Sequence, residues 1–182
     1  TNIFLKLNLD ISKDLIAKDN EDYSSALMTE SLNSNLRPSI ETSLHVLMPF
    51  RFVIHLHSIN VISYAVLNNC SDLLAEKLVD INWILIPYAR PGLPLAKMLI
   101  KLNAFKYEVL ILENHGIVIC GNSRVEVEQL ISLVEDRLFR PTRNKINFKK
   151  KLKLKNLLKS SQYKLPKYDI SHNLALDDIC MK

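Results

Sequence analysis

Apolar residues recur along this chain in two rhythms, and each rhythm predicts a type of element. The runs "RFVIHLHS" (51–58), "NWILIPY" (82–88), "YEVLILE" (107–113) and "IVICG" (117–121) are short, rich in branched residues and bounded by polar, Gly or Pro breaks. Runs of that length and content read as strands. Between them, "INVISYAVLN" (59–68), "SDLLAEKL" (71–78) and "LPLAKMLIKLN" (93–103) read as helices. The clearest helix is "NSRVEVEQLISLVEDRLF" (122–139), with Asn122 or Ser123 as cap and Val127, Leu130, Ile131 and Val134 on one face. A further helix is expected in "RPSIETSLHVLM" (37–48), with Pro38 near its first turn and Ser39 as cap. Its apolar stripe would be Ile40, Leu44 and Leu47, and Glu41 and His45, four apart, would share a face. Residues 1–36 give few signals, and "DNEDYSSALMTESLNSN" (19–35) reads as irregular or weakly helical. Strands interleaved with helices predict an α/β or α+β sandwich, and there is no internal repeat.

Composition narrows the function classes. With 182 residues, 48% of them apolar, the chain has the size and core of about one ordinary domain. Three glycines cannot supply a phosphate loop of either standard pattern, which removes P-loop and dinucleotide-fold readings. Cys70, Cys120 and Cys180 are widely spaced and odd in number, a usage that points to a reducing cytoplasm. No leader and no run of membrane-spanning length is recognisable. The net charge of +5 conceals an asymmetry. Residues 140–167 hold 11 of the 24 basic residues and no Asp or Glu, leaving 13 basic against 19 acidic residues elsewhere, a net of −6. A body that acidic is a poor nucleic-acid binder. The lysine-rich run reads as a solvated linker or surface helix, with a docking site for an anionic partner as the competing reading.

Histidines bring the chemistry. In "FVIHLHSIN" (52–60), His55 and His57 are one residue apart in a strand, so both side chains point the same way. Their Cα atoms would be about 7 Å apart by the strand rise. A single histidine in such a strand is ordinarily a hydrogen-bonded structural residue, whereas a pair suits a shared metal equally well. His115 lies in "LENHGIVICG" (112–121), at the turn between two apolar runs, and loops held by strand ends often carry functional groups. Three imidazoles are the ligand count of a catalytic zinc site with one open position. Glu41 adds a carboxylate that could ligate the metal or move protons. His45 is expected to support the site or lie on the helix surface, Cys120 to be a small core residue, and His172 to have no role.

In order, the segments "E-T-S-L-H", "V-I-H-L-H-S", "P-Y-A-R-P-G" and "L-E-N-H-G-I-V-I-C-G" resemble the class II aldolase/adducin family. The variant "RPSIETSLHVLMP" with "IPYARPGLPLA" and the late "YKLPKYDISHNLALDD" is most similar to its rhamnose-utilisation, rhamnulose-1-phosphate aldolase-like branch, some members of which carry a dehydrogenase domain. The resemblance implies a three-layer α/β/α sandwich around a largely antiparallel sheet. It divides the chain into a class II aldolase/adducin-like domain over 1–138, incomplete at its N-terminus, and a basic linker and extension over 139–182. It makes His55, His57 and His115 the metal ligands and Glu41 the catalytic carboxylate. Tyr88, Arg90 and Asn114 become candidates for the substrate mouth, although a strand-to-helix turn explains "YARPG" equally well.

The implied cofactor is a divalent metal, Zn²⁺ foremost. The implied reaction is retro-aldol cleavage of a sugar or sugar phosphate in the cytoplasm, through an enediolate stabilised by the metal as Lewis acid. Family members are commonly homo-oligomers with sites at subunit boundaries. Two departures from the family are visible. Glu41 and His55 are only fourteen residues apart, and no Gly/Ser/Thr-rich phosphate loop lies ahead of Arg37. The competing readings are therefore a non-catalytic adducin-like binding module and a truncated, inactive remnant.

Overall fold

All four predicted strands are present in the computed structural model, which describes residues 4–32, 35–141, 155–156 and 158–159. They are β1 (Phe52–Leu56), β2 (Trp83–Ile86), β3 (Val109–Leu112) and β4 (Gly116–Gly121). They form one sheet in the order β1-β4-β3-β2. β1 pairs antiparallel with β4, placing Leu56 opposite Ile117, and β4 pairs antiparallel with β3. β2 joins β3 in parallel, and the connection that makes this possible carries a helix, as a parallel pair requires. The sheet is thus largely antiparallel.

Alternation along the strands sends side chains into two cores. On one face Val109, Ile111, Ile117 and Ile119 pack against α3 (Ile59–Ala65), α4 (Cys70–Lys77) and α6 (Arg124–Arg137) through Val61, Leu74, Val127 and Val134. On the other, Leu110, Leu112, Val118 and Cys120 meet α2 (Thr42–Leu47) and α5 (Leu93–Lys101) through Leu44, Leu95 and Leu99. Three layers result, helices on both faces of a sheet, as the resemblance implied.

Local signals explain the helix starts. α6 has a capping box: the Ser123 hydroxyl accepts from Glu126 N–H at 3.2 Å, and the Glu126 carboxylate accepts from Ser123 N–H at 3.2 Å. The backbone N–H of Asn122, which donates to the same carboxylate at 2.9 Å, and then that of Ser123 hold the Glu126 carboxyl below its ordinary value. α5 begins after Gly92, whose φ of 96° is a glycine conformation. The Glu21 carboxylate caps its first amide, accepting from Leu93 N–H at 2.7 Å. A Cβ at position 92 would collide with the same carboxylate.

Two expectations need correction. The helix expected from Pro38 begins at Thr42, with Glu41 as its N-cap residue. Pro38 and Ser39 precede it in a turn, where the Ser39 hydroxyl accepts from Glu41 N–H at 3.2 Å and the Ser39 carbonyl from Thr42 N–H at 3.0 Å. Ile40 is consequently 51% exposed instead of part of an apolar stripe. The opening segment also contains a regular helix, α1 (Leu9–Ala17), capped by the Asn8 side chain, which accepts from Ile11 N–H at 3.0 Å. Its signal, Asn8 ahead of Ile11 and the buried Ile16, was short enough to pass for irregular chain.

The chain divides into two compact units, Thr1–Arg140 and Pro141–Lys182. In the second, the described residues include one turn, Lys159 N–H donating to the Asn156 carbonyl at 3.3 Å. Most of the lysine-rich run 140–167, and His172, lie outside the described residues. Among the described residues no helix is long and apolar enough to cross a membrane.

Candidate metal centre

Glu41, His55, His57 and His115 come together at one end of the sheet. Each contributes one ligand atom, and the four atoms lie within 4.8 Å of one another. His55 is the next-to-last residue of the edge strand, and His57, just past its end, continues the alternation on the same side. His115 arrives from the β3–β4 turn beside it, and Glu41 from the N-cap of α2. The three imidazole centroids are 4.9, 4.9 and 5.0 Å apart, a nearly equilateral triangle.

The short contacts run between ligand atoms. Glu41 Oε1 lies 3.2 Å from His55 Nε2 and 3.1 Å from His115 Nε2, and His55 Nε2 lies 3.1 Å from His57 Nε2. Yet Glu41 Oε1 is buried without a hydrogen-bond partner among the described residues. Distance and direction disagree here, and direction is the more informative. The nitrogens come close to the carboxylate but do not aim N–H bonds at it. Ligands about 2.0 Å from a tetrahedral centre are about 3.3 Å from one another, and three of the six pairs here are near that spacing, so the cluster could hold a cation.

Hydrogen bonding prepares the ligand atoms. His55 Nδ1 lies 3.0 Å from the Ile117 carbonyl, so Nδ1 carries the proton and Nε2 keeps a lone pair. The side chains of His55, His115 and Glu41 are only 7%, 12% and 18% exposed. Burial and the neighbouring His55 hold His115 below its ordinary value, although Glu41 opposes the shift. Neutral imidazole is the form that binds metal. Gly116 completes the cradle. A Cβ there would lie 2.5 Å from the Leu56 carbonyl oxygen, 3.1 Å from His57 Cδ2 and 3.4 Å from His55 Cε1.

The other candidates are placed differently. His45 is exposed on α2 and its Nδ1 lies 3.1 Å from the Val53 carbonyl, tying α2 to the edge strand. Desolvation foremost holds its imidazole below the ordinary value. Tyr88 and Arg90 are exposed in the loop after β2, and Asn114 is exposed in the turn before His115. Asn114 has a φ of 54°, a conformation that by itself favours Asn. Cys120 is a core residue whose thiol burial pushes up to about 12. Sequence reading overlooked Glu113, whose carboxylate accepts from Tyr88 N–H at 3.1 Å and from the Cys70 thiol at 3.7 Å. Its one signal was a charged residue closing an otherwise apolar run.

A sheet with helices on both faces and a three-histidine, one-carboxylate cluster at its end are the features of one family. The chain belongs to the class II aldolase and adducin N-terminal domain family, whose model matches residues 6–138. It is 33% identical over 142 residues to YuxG of Bacillus subtilis (strain 168), described as an uncharacterized oxidoreductase, covering 73% of this chain. The chain spans one fifth of the length of that relative. Among solved structures it is similar to the N-terminal class II aldolase domain of a conserved protein from Thermoplasma acidophilum. The TM-score there is 0.64 at 25% identity, over 74% of this chain and 64% of the other. YgbL of Escherichia coli is also 25% identical, with a TM-score of 0.46 over 63% of this chain and 65% of the other.

Proposed function

We propose that this domain is a zinc-dependent aldolase-type lyase that cleaves a sugar or sugar phosphate by retro-aldol chemistry, in the cytoplasm and as a homo-oligomer. The rhamnulose-1-phosphate aldolase-like branch, suggested by its sequence variants, gives the first substrate to try. The observation that carries the reading is the buried Glu41 Oε1, 3.2 and 3.1 Å from the Nε2 atoms of His55 and His115. His55, His57 and His115 would hold the cation. When bound, it supplies Lewis acidity that draws electrons toward a substrate carbonyl. The remaining work belongs to the chain. Glu41, from a helix N-cap and 18% exposed, is placed to take a proton from the substrate and return one to the carbon left when the C–C bond breaks. The shielded faces of His55 and His115 limit the access of water to that transfer.

The oxidoreductase description of YuxG is not carried over to residues 6–138, because the three glycines of this chain form no dinucleotide loop. Residues 139–182 are read as a basic linker and extension. An adducin-like binding module has no use for a four-ligand cluster, which makes catalysis the better-supported reading.

The test measures two quantities on one preparation of zinc-loaded protein: metal content and aldehyde release from ketose 1-phosphates, rhamnulose 1-phosphate first. Glu41→Gln keeps the shape and removes the base, so turnover should fall about 10²- to 10⁴-fold while zinc is largely retained. Unchanged turnover would remove Glu41 from the chemistry. Absence of zinc in the unaltered protein would overturn the metal reading altogether.

A further inference from the structure

The turn that delivers His115 is anchored by three successive amides, each to a different element. Glu113 N–H donates to the Ile86 carbonyl at 3.0 Å, Asn114 N–H to Ala65 at 3.2 Å and His115 N–H to Leu112 at 3.1 Å. The Glu113 side chain adds the contacts already described, to Tyr88 N–H and to the Cys70 thiol. It lies on the face opposite the metal cluster. Continuing the alternation of Val109 and Ile111, position 113 points toward the α3–α4–α6 core, to which Cys70 belongs. His55, out of step with Phe52, Ile54 and Leu56 of that core, points to the other side. Desolvation foremost, together with the Glu113 carboxylate, raises the Cys70 thiol, which keeps it protonated and able to donate.

We propose that Glu113 is a positioning residue for His115: its carboxylate ties the ligand-bearing turn to the loop at Tyr88 and to the start of α4. A partly buried carboxylate with two donors is costly to leave unpaired, so both loops are held where the donors are. The loop at Tyr88 and the turn that carries His115 then move as one piece. This rests on the metal reading above only for its second readout. Outer partners of this kind typically change metal affinity about 10- to 100-fold when removed.

The experiment compares unaltered protein with Glu113→Ala and Glu113→Gln, the second of which keeps one acceptor oxygen for Tyr88 N–H. In metal-free protein, hydrogen exchange at the amides of Glu113, Asn114 and His115 should accelerate at least tenfold in E113A and return close to the original rate in E113Q. Strand amides of β4 should not change, which separates a local clamp from general loss of structure. In zinc titrations, E113A should bind about 10- to 100-fold more weakly and E113Q nearly normally. If E113A does not fold, Glu113→Asp, which draws the carboxylate back by one methylene, replaces it in both measurements. Unchanged exchange at the three amides overturns the proposal whether or not zinc binds. Failure of the unaltered protein to take up zinc would overturn the metal reading, while the exchange data still decide the clamp.

Discussion

The two sources of histidine in this centre differ in how firmly they are held. β3 and β4 are central strands: Val109, Leu110 and Ile111 are fully buried and Leu112 is 2% exposed. β1, which carries His55 and leads into His57, is an edge strand, and every one of its residues is only partly buried. His115 therefore comes from a hairpin packed on both faces, and the other two histidines from a strand with one neighbour. A site built this way has a fixed side and an adjustable side. Glu41, at a helix N-cap, belongs with the adjustable side. The central hairpin fixes the position of His115 more firmly than the edge strand fixes those of His55 and His57.

Truncation gives the largest test of that difference. Ile111→Ala in β3 should cost about 2–5 kcal/mol, the range for large-to-small changes in a packed core. Ile54→Ala in β1 should cost less than half as much in the same denaturant titration, because Ile54 is only partly buried. Equal costs would show that the edge strand is as firmly packed as the centre.

Gly116→Ala acts on the seam between the two sides. The new methyl meets the Leu56 carbonyl, a backbone atom that cannot swing away, so β1 must shift relative to β4. A loss of about 1–3 kcal/mol of stability is expected, as for overpacking. Zinc affinity should weaken as well, because His55 and His57 line the same space. Normal zinc binding in this variant would mean that β1 adjusts freely enough to rebuild the cluster.

Acid should have the smallest effect. His115 is held below its ordinary value of 6.5 in the folded protein, so the unfolded chain takes up a proton more readily than the folded one. Stability of the metal-free protein is then unaffected well above 6.5 and declines as the pH falls through that value. His115→Gln should flatten this decline in unfolding titrations below pH 6.5. An unchanged slope would assign it to other groups, His45 first, whose shift has the same direction.

Much of this arrangement was legible in the order of residues. Four apolar runs gave four strands, and the H-x-H spacing with the later N-H-G turn pointed to the three histidines that the fold brings together, since strand period and turn position decide where those side chains point. Asn122 or Ser123 was the expected cap of α6, and Ser123 is the residue that caps it. What could not be seen came from contacts distant in sequence. Glu21 caps α5 from 72 residues away, and no local pattern encodes that. Pro38 and Ser39 suggested a cap two residues ahead of the actual one, Glu41, because a Pro-Ser pair also describes the turn that precedes a helix. Glu113 looked like a strand end because its partners, Tyr88 and Cys70, are 25 and 43 residues away.

The pairing of β1 with β4 has a consequence for how the protein is made. Leu56 must find Ile117 before His55 and His115 can meet, and that closes a loop of about sixty residues. Loop closure costs entropy that grows with the logarithm of length, and contacts so distant in sequence form slowly. Until then the chain offers a cation only the neighbouring pair His55 and His57. Metal uptake during refolding should therefore follow the long-range pairing of the sheet instead of leading it, so that a cation stabilises a structure already formed and does little to speed the search for it.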